Sequence, residues 1–311
     1  MFFFVLLWVG SMILGVSAQS FAGMWLFLEL NLISFVLLVS IMSVKSEVMS
    51  LKYFMVQTVS TGLFFFGAIA LLGASWSLGE ALLVLALAVK MGAAPFHFWV
   101  LNIVGEMSWD VFFYFSTFQK LLPLWLTFSL SKSSGTLWLV ALGSVFTVLG
   151  LWQLNTKSLL VYSSVLGISW MILSEDFQTS LAYLVVYGVS LMGVCFFLES
   201  GSSEHISLYS CSGVTKSDAI SMMFFVLNMS GLPPFALFFV KAAIVLNVAS
   251  SHSILVGGVL LASGAFFVAY FRLFMFGLLS GTSSLSQGQP HYGLGGSSIL
   301  AVSSAVVVWL L

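Results

Sequence analysis

Four ionisable side chains stand where a lipid-embedded chain can least afford them. Glu29 lies in Trp25-Leu-Phe-Leu-Glu-Leu-Asn-Leu, Lys90 in Leu85-Ala-Leu-Ala-Val-Lys-Met-Gly-Ala-Ala-Pro, Lys120 in Thr117-Phe-Gln-Lys-Leu-Leu-Pro and Lys241 in Phe238-Phe-Val-Lys-Ala-Ala. Each sits well inside an apolar run. A charge at bilayer depth costs roughly 2.5–3.5 kcal/mol on insertion scales, so such a residue reads first as functional. A carboxylate near an ammonium favours the charged form of each, and desolvation favours the neutral form. Lysine suits a carrier role because it can give up its proton on burial, whereas arginine stays charged. One carboxylate and three amines could therefore load and release protons in turn. The alternative is four structural charges that only fix helix packing. Reaching out to the headgroups is credible for Glu47, Lys132, Lys157, Glu175, Asp176 and Glu199, near segment ends, and poor for the central four.

Gly92 and Pro95 follow Lys90 closely, and Ser230-Gly-Leu-Pro-Pro precedes Lys241. Proline removes a backbone donor and clashes with the preceding turn, which predicts a broken helix at both places. Irregular backbone is tolerated in a bilayer only when buried in protein or lining a wet cavity. His97 is seven residues from Lys90. It shares a helical face with Lys90 if the helix survives Pro95, and would be a relay residue or a packed ring.

The elements that must carry these residues follow from composition. Of 311 residues, 60% are hydrophobic, 16% aromatic and 6% charged, with mean hydropathy +1.15. Soluble domains carry about 25% charged residues, so the bilayer must be the solvent. Runs near the ~20 residues that span a bilayer fall at 2–18, 22–43, 49–73, 79–103, 110–130, 136–153, 157–173, 178–199, 217–249, 254–279 and 294–311. The expected fold is all-α: a polytopic transmembrane bundle of about eleven helices. Residues 1–130 and 131–279 form two five-segment units, followed by a loop and a last helix over 280–311. The broken segments occupy equivalent places, fourth and ninth. An odd number of helices per unit inverts the second, the pattern of inverted-repeat transporters.

Lys45, Lys52, Lys157, Lys216 and Arg272 fall on one side of the alternating loops, and Lys132 on the other. The positive-inside rule then places the N-terminus inside. The start, Met1 to Ala18, has no charged leader and reads as a first transmembrane segment. Net charge is −1, so no basic nucleic-acid footprint exists. Two cysteines cannot hold an iron–sulfur cluster, the four histidines lack paired haem spacing, and no GxGxxG follows a strand. No cofactor is expected on this chain, and the driving force must come from a partner or an ion gradient.

Several stretches together resemble a known family. Lys90-Met-Gly-Ala-Ala-Pro-Phe-His-Phe-Trp-Val, Phe118-Gln-Lys-Leu-Leu-Pro, Leu154-Asn-Thr-Lys-Ser-Leu-Leu-Val-Tyr-Ser-Ser, Ser230-Gly-Leu-Pro-Pro-Phe and Leu28-Glu-Leu-Asn-Leu are similar, in order, to motifs of the subunit 2 family of NADH dehydrogenase, antiporter-like membrane subunits of respiratory complex I. The resemblance implies that Glu29 pairs with Lys90 as a switch, that Lys120 is the central relay and that Lys241 serves the second half-channel. It implies a mitochondrial inner-membrane subunit, shortened by three helices relative to bacterial forms, with its N-terminus in the matrix. NADH, FMN, iron–sulfur clusters and ubiquinone would belong to partner subunits, and other membrane-arm subunits would be its partners. Cardiolipin at the basic inner loops is the expected lipid partner. The family continues the histidine motif with Pro-Glu, where this chain has Val100-Leu-Asn-Ile-Val and then Glu106. Two other functions fit the residues: a cation/proton antiporter subunit working without redox input, and a structural assembly subunit.

Overall fold

A computed structural model describes residues 2–42, 46–73, 76–130, 134–174, 176–200 and 216–283. The described residues are helical almost throughout, because an apolar chain in lipid must satisfy its backbone polar groups internally. The chain divides into two compact units, Met1–Leu142 and Gly143–Leu311. The expected last helix over 294–311 lies outside the described residues.

The first unit is built from α1 (Phe2–Ser17), α2 (Phe21–Met42), α3 (Ser46–Leu72), α4 (Trp76–Met91), α5 (Phe98–Val104), α6 (Trp109–Ser116) and α7 (Phe118–Leu130). Helix α3 packs on both α2 and α4, and α4 packs on α7. Leu28, Phe64, Leu83, Ala86, Leu87, Leu122 and Leu126 from these four helices form one buried cluster. On α3 the buried Tyr53, Gln57, Ser60 and Phe64 recur at steps of four, three and four, which is one helical face. Ser60 Oγ donates to the Gln57 carbonyl at 2.8 Å, so its hydroxyl is satisfied within its own helix. The opposite faces carry exposed apolar side chains such as Met55, Val59 and Phe66, as a surface against lipid requires.

α8 (Ser134–Thr147) straddles the boundary between the units. The rest of the second unit comprises a 3₁₀ turn (Val148–Trp152), α9 (Thr156–Leu173), α10 (Phe177–Ser200), α11 (Lys216–Ser230), α12 (Ala236–Val248) and α13 (Ser253–Ser283). Most of α9 is buried; α10, α12 and α13 pack around it. Arg272 on α13 donates through a terminal guanidinium N–H to the Leu151 carbonyl of the 3₁₀ turn. Among the described residues six helices are long and apolar enough to cross a membrane, including Phe21–Met42, Glu47–Leu72 and Phe177–Glu199.

Both expected breaks are present, and they share one turn. In the first unit the Gly92 N–H donates to the Val89 carbonyl at 3.1 Å and the Phe96 N–H to Ala93 at 2.8 Å. In the second, the Gly231 N–H donates to Asn228 at 3.1 Å and the Phe235 N–H to Leu232 at 3.0 Å. Gly92 and Gly231 have φ of 68° and 74°, a region open to glycine at little cost. Proline follows three residues later in each, as Pro95 and Pro234. The chain also departs from expectation at a third place. Residues 110–130 are not one helix: Thr117, at φ −113° and ψ −74°, separates α6 from α7. Its N–H and its Oγ1 both donate to the Phe113 carbonyl, at 3.1 and 2.7 Å.

A methyl at Gly92 would meet Val100 Cγ2 at 2.7 Å and place an L side chain in the left-handed region, at a cost of about 1–2 kcal/mol. Gly92→Ala should therefore lower the thermal midpoint of the membrane-embedded protein. Gly62→Ala, whose methyl meets nothing within 4 Å, should shift stability by no more than about 1 kcal/mol. Thermal inactivation of the two variants side by side checks this.

Candidate functional site

Each of the three interior lysines stands at a helix interruption. Lys90 is in the last turn of α4, two residues before Gly92. Lys120 is in the first turn of α7, three residues after Thr117, and only 3% exposed. Lys241 is on α12, folded back onto the break that precedes it. The physical reason is shared. A helix break leaves carbonyls without their i+4 donors, and a buried ammonium needs acceptors.

In the second unit the carbonyl of Ser230 would ordinarily accept from residue 234, which is proline and has no N–H. Lys241 Nζ donates to that carbonyl at 3.4 Å. The same ammonium lies 5.7 Å from the Trp170 ring centroid, within cation–π range. Gly231 makes this approach feasible, since a methyl there would stand 2.8 Å from Lys241 Nζ. Asn228 Oδ1 accepts from the Leu237 N–H at 3.4 Å and so caps the start of α12. A buried hydroxyl pair, Ser163 and Tyr187 at 3.2 Å, joins α9 to α10.

In the first unit Lys90 Nζ donates to Gln57 Oε1 at 3.5 Å. Gln57 Nε2 donates in return to the Lys90 carbonyl at 3.3 Å. Glu29 on α2 is within electrostatic reach of Lys90, and its Oε2 is buried without a hydrogen-bond partner. The ammonium is thus hydrogen-bonded to a neutral amide while a carboxylate acts on it through space. Glu29, Lys90 and Lys120 all belong to the first unit and Lys241 to the second.

His97 stands apart. The helix ends at Met91, so the seven-residue spacing from Lys90 defines no common face. His97 occupies the position just before α5 without a side-chain capping bond, is fully buried and lies 4.3 Å, centroid to centroid, from Phe98. Lys157, expected to reach an interface, is buried in the first turn of α9. Glu106 pairs with Lys52 at 2.7 Å, tying the start of α3 to the segment after α5. Among the described residues no cluster of three or more His, Cys, Asp or Glu could hold a metal ion. Gln57 is the site residue that charge-based reading overlooks: a neutral amide in an apolar helix raises no electrostatic flag. Its place four residues from Tyr53 on the buried face is the signal that could have found it.

Broken helices with interior lysines beside the breaks mark a polytopic helical membrane protein by class. The chain belongs to the NADH:quinone oxidoreductase/Mrp antiporter transmembrane family, whose model matches residues 18–267. It is 33% identical over 273 residues to NADH-ubiquinone oxidoreductase chain 2 of Artemia franciscana, covering 86% of this chain and 87% of that one. It is 28% identical over 318 residues to the protein of the same name from Myxine glutinosa, covering 90% and 88%. Its fold is similar to that of a chain in respiratory complex I from Thermus thermophilus, with a TM-score of 0.81, 22% identity and coverage of 99% of this chain and 76% of that one.

The Lys52–Glu106 pair is partly solvent-exposed, at 44% and 32%, and exposed pairs contribute about 0–1 kcal/mol. Glu106→Gln should accordingly leave thermal stability within about 1 kcal/mol of the parent, and a thermal melt of the assembled protein reads this directly.

Proposed function

We propose that this chain is a core membrane-arm subunit of a proton-translocating NADH:ubiquinone oxidoreductase, and that its own residues move protons while partner subunits carry electrons. The observation that carries the reading is the placement of three interior amines, Lys120 buried and Lys90 and Lys241 half-buried, at three helix interruptions, one of them with a carboxylate in electrostatic reach. Family membership supplies the redox context. NADH, FMN, iron–sulfur clusters and ubiquinone belong to the partners in this reading, and other membrane-arm subunits are its neighbours. The place is the mitochondrial inner membrane, with the N-terminus in the matrix as the loop charges suggest; cardiolipin is the lipid favoured at the basic loops.

The mechanism is electrostatic. A charge change in a neighbouring subunit alters Glu29, and Glu29 alters how firmly Lys90 holds its proton. Only N–H and O–H bonds are made and broken. Lys90, Lys120 and Lys241 are loaded and released in turn; the Gln57 amide holds the Lys90 ammonium and the Ser230 carbonyl freed by the break holds that of Lys241. His97 is packed against Phe98 at the start of α5.

Lys120→Met tests it. In complexes that assemble normally, protons translocated per electron should fall while NADH oxidation continues. Lys120→Arg should not restore the ratio, because a guanidinium keeps its proton. An unchanged ratio with Lys120→Met would make the lysine structural, and ion flux without NADH would favour an antiporter.

A further inference from the structure

The described residues of the first unit enclose a small polar cavity beside Lys90. It measures about 10 Å³, and its wall includes Asn31, Tyr53, Gln57, Lys90, Gln119 and Pro123. That is room for about one water centre, and a buried water needs two to four polar partners. The wall offers them. Asn31, 4% exposed, has its Oδ1 buried and without a partner, and Gln119 Nε2 is likewise buried and unpartnered. Tyr53 Oη donates to Gln119 Oε1 at 3.5 Å, which fixes the amide orientation so that Nε2 is left over. Pro123 has no N–H to return to the Gln119 carbonyl four residues earlier. An orphaned acceptor on α2 and an orphaned donor on α7 therefore line one cavity with the Lys90 ammonium. Leaving such groups unpaired costs more than a typical hydrogen bond contributes.

We infer that Gln57 is the positioning residue of Lys90, and that with Asn31 and Gln119 it frames a one-water site through which the Lys90 proton passes towards α7. Gln57 holds both ends of Lys90, the carbonyl freed by the break and the ammonium itself. Being neutral, it keeps the amine in place in either protonation state; a carboxylate there would lock it charged. The water donates one hydrogen to Asn31 Oδ1 and accepts from Gln119 Nε2. In the step itself Lys90 Nζ gives a proton to the water, and the water gives one of its own to a neutral amine, which the translocation reading assigns to Lys120; Lys120 does not itself line the cavity. One N–H bond breaks and one forms, and a single positive charge moves.

The inference rests on the translocation reading above, and one assay on the assembled complex separates the two. Gln57→Met and Asn31→Leu should each slow NADH-driven proton translocation about tenfold, the size expected for one lost hydrogen bond to a charged group. The double variant should fall no further than the lower single, since both residues act on one transfer, Gln57 at the Lys90 amine and Asn31 at the water. Asn31→Ser, which keeps a hydroxyl for the water, should recover most of the loss. Full translocation in both single variants, with Lys90→Met inactive beside them, overturns this inference alone. A Lys90→Met complex that pumps normally overturns the translocation reading and this inference with it. If a variant fails to assemble, a high-resolution cryo-electron microscopy map of the unmodified complex decides. Density for one water within hydrogen-bond distance of Asn31 Oδ1 and Gln119 Nε2 supports the site, and a dry, closed contact there refutes it.

Discussion

A buried ammonium must have acceptors, and in lipid almost every backbone acceptor is already taken by its own helix. That conflict shapes the whole molecule. Breaking a helix frees carbonyls, and a lysine placed beside the break can use them. Lys241 takes the carbonyl that Pro234 leaves unpaired, and the carbonyl of Lys90 itself is taken by Gln57. The break is costly as lipid-exposed structure and becomes tolerable because the polar side chain and the irregular backbone satisfy each other. Glycine at φ of 68° and 74° lets the chain turn sharply enough to bring the two together.

The same constraint explains the sparse chemistry of the rest of the chain. Serine and threonine hydroxyls are mostly spent on carbonyls three or four residues back in their own helices, as at Ser60, Thr127 and Ser174. They are silent electrostatically. Among the described residues, two of the groups left over, Asn31 Oδ1 and Gln119 Nε2, belong to residues that line the cavity beside Lys90. A protein that has satisfied nearly everything internally advertises its working parts by what remains.

Much of this was legible from sequence. Gly92 with Pro95, and Gly231 with Pro233 and Pro234, announce their breaks because both residues act on the backbone directly. The four interior charges stand out because they lie away from the segment ends, where Glu80, Asp110 and Asp218 fall. Three features were not legible. The interruption at Thr117 has no glycine or proline at the spot; it depends on a threonine hydroxyl returning to Phe113 and on tertiary packing. Gln57 carries no charge, and its two hydrogen bonds span 33 residues of sequence. The seven-residue relation of His97 to Lys90 presumed a continuous helix, and the break removes the shared face. Periodicity reads regular structure, and the site is built where regularity stops.

In the proposed mechanism the amines of Lys90, Lys120 and Lys241 change protonation as the complex works. Solid-state nitrogen NMR of the complex with ¹⁵N-labelled lysine, resting and during NADH-driven turnover, measures this directly, because ammonium and neutral amine nitrogens resonate apart. The account predicts that signals removed by the three Lys→Met substitutions move between the charged and neutral forms during turnover. If those nitrogens remain ammonium throughout while protons cross the membrane, the lysines are structural and the account is wrong.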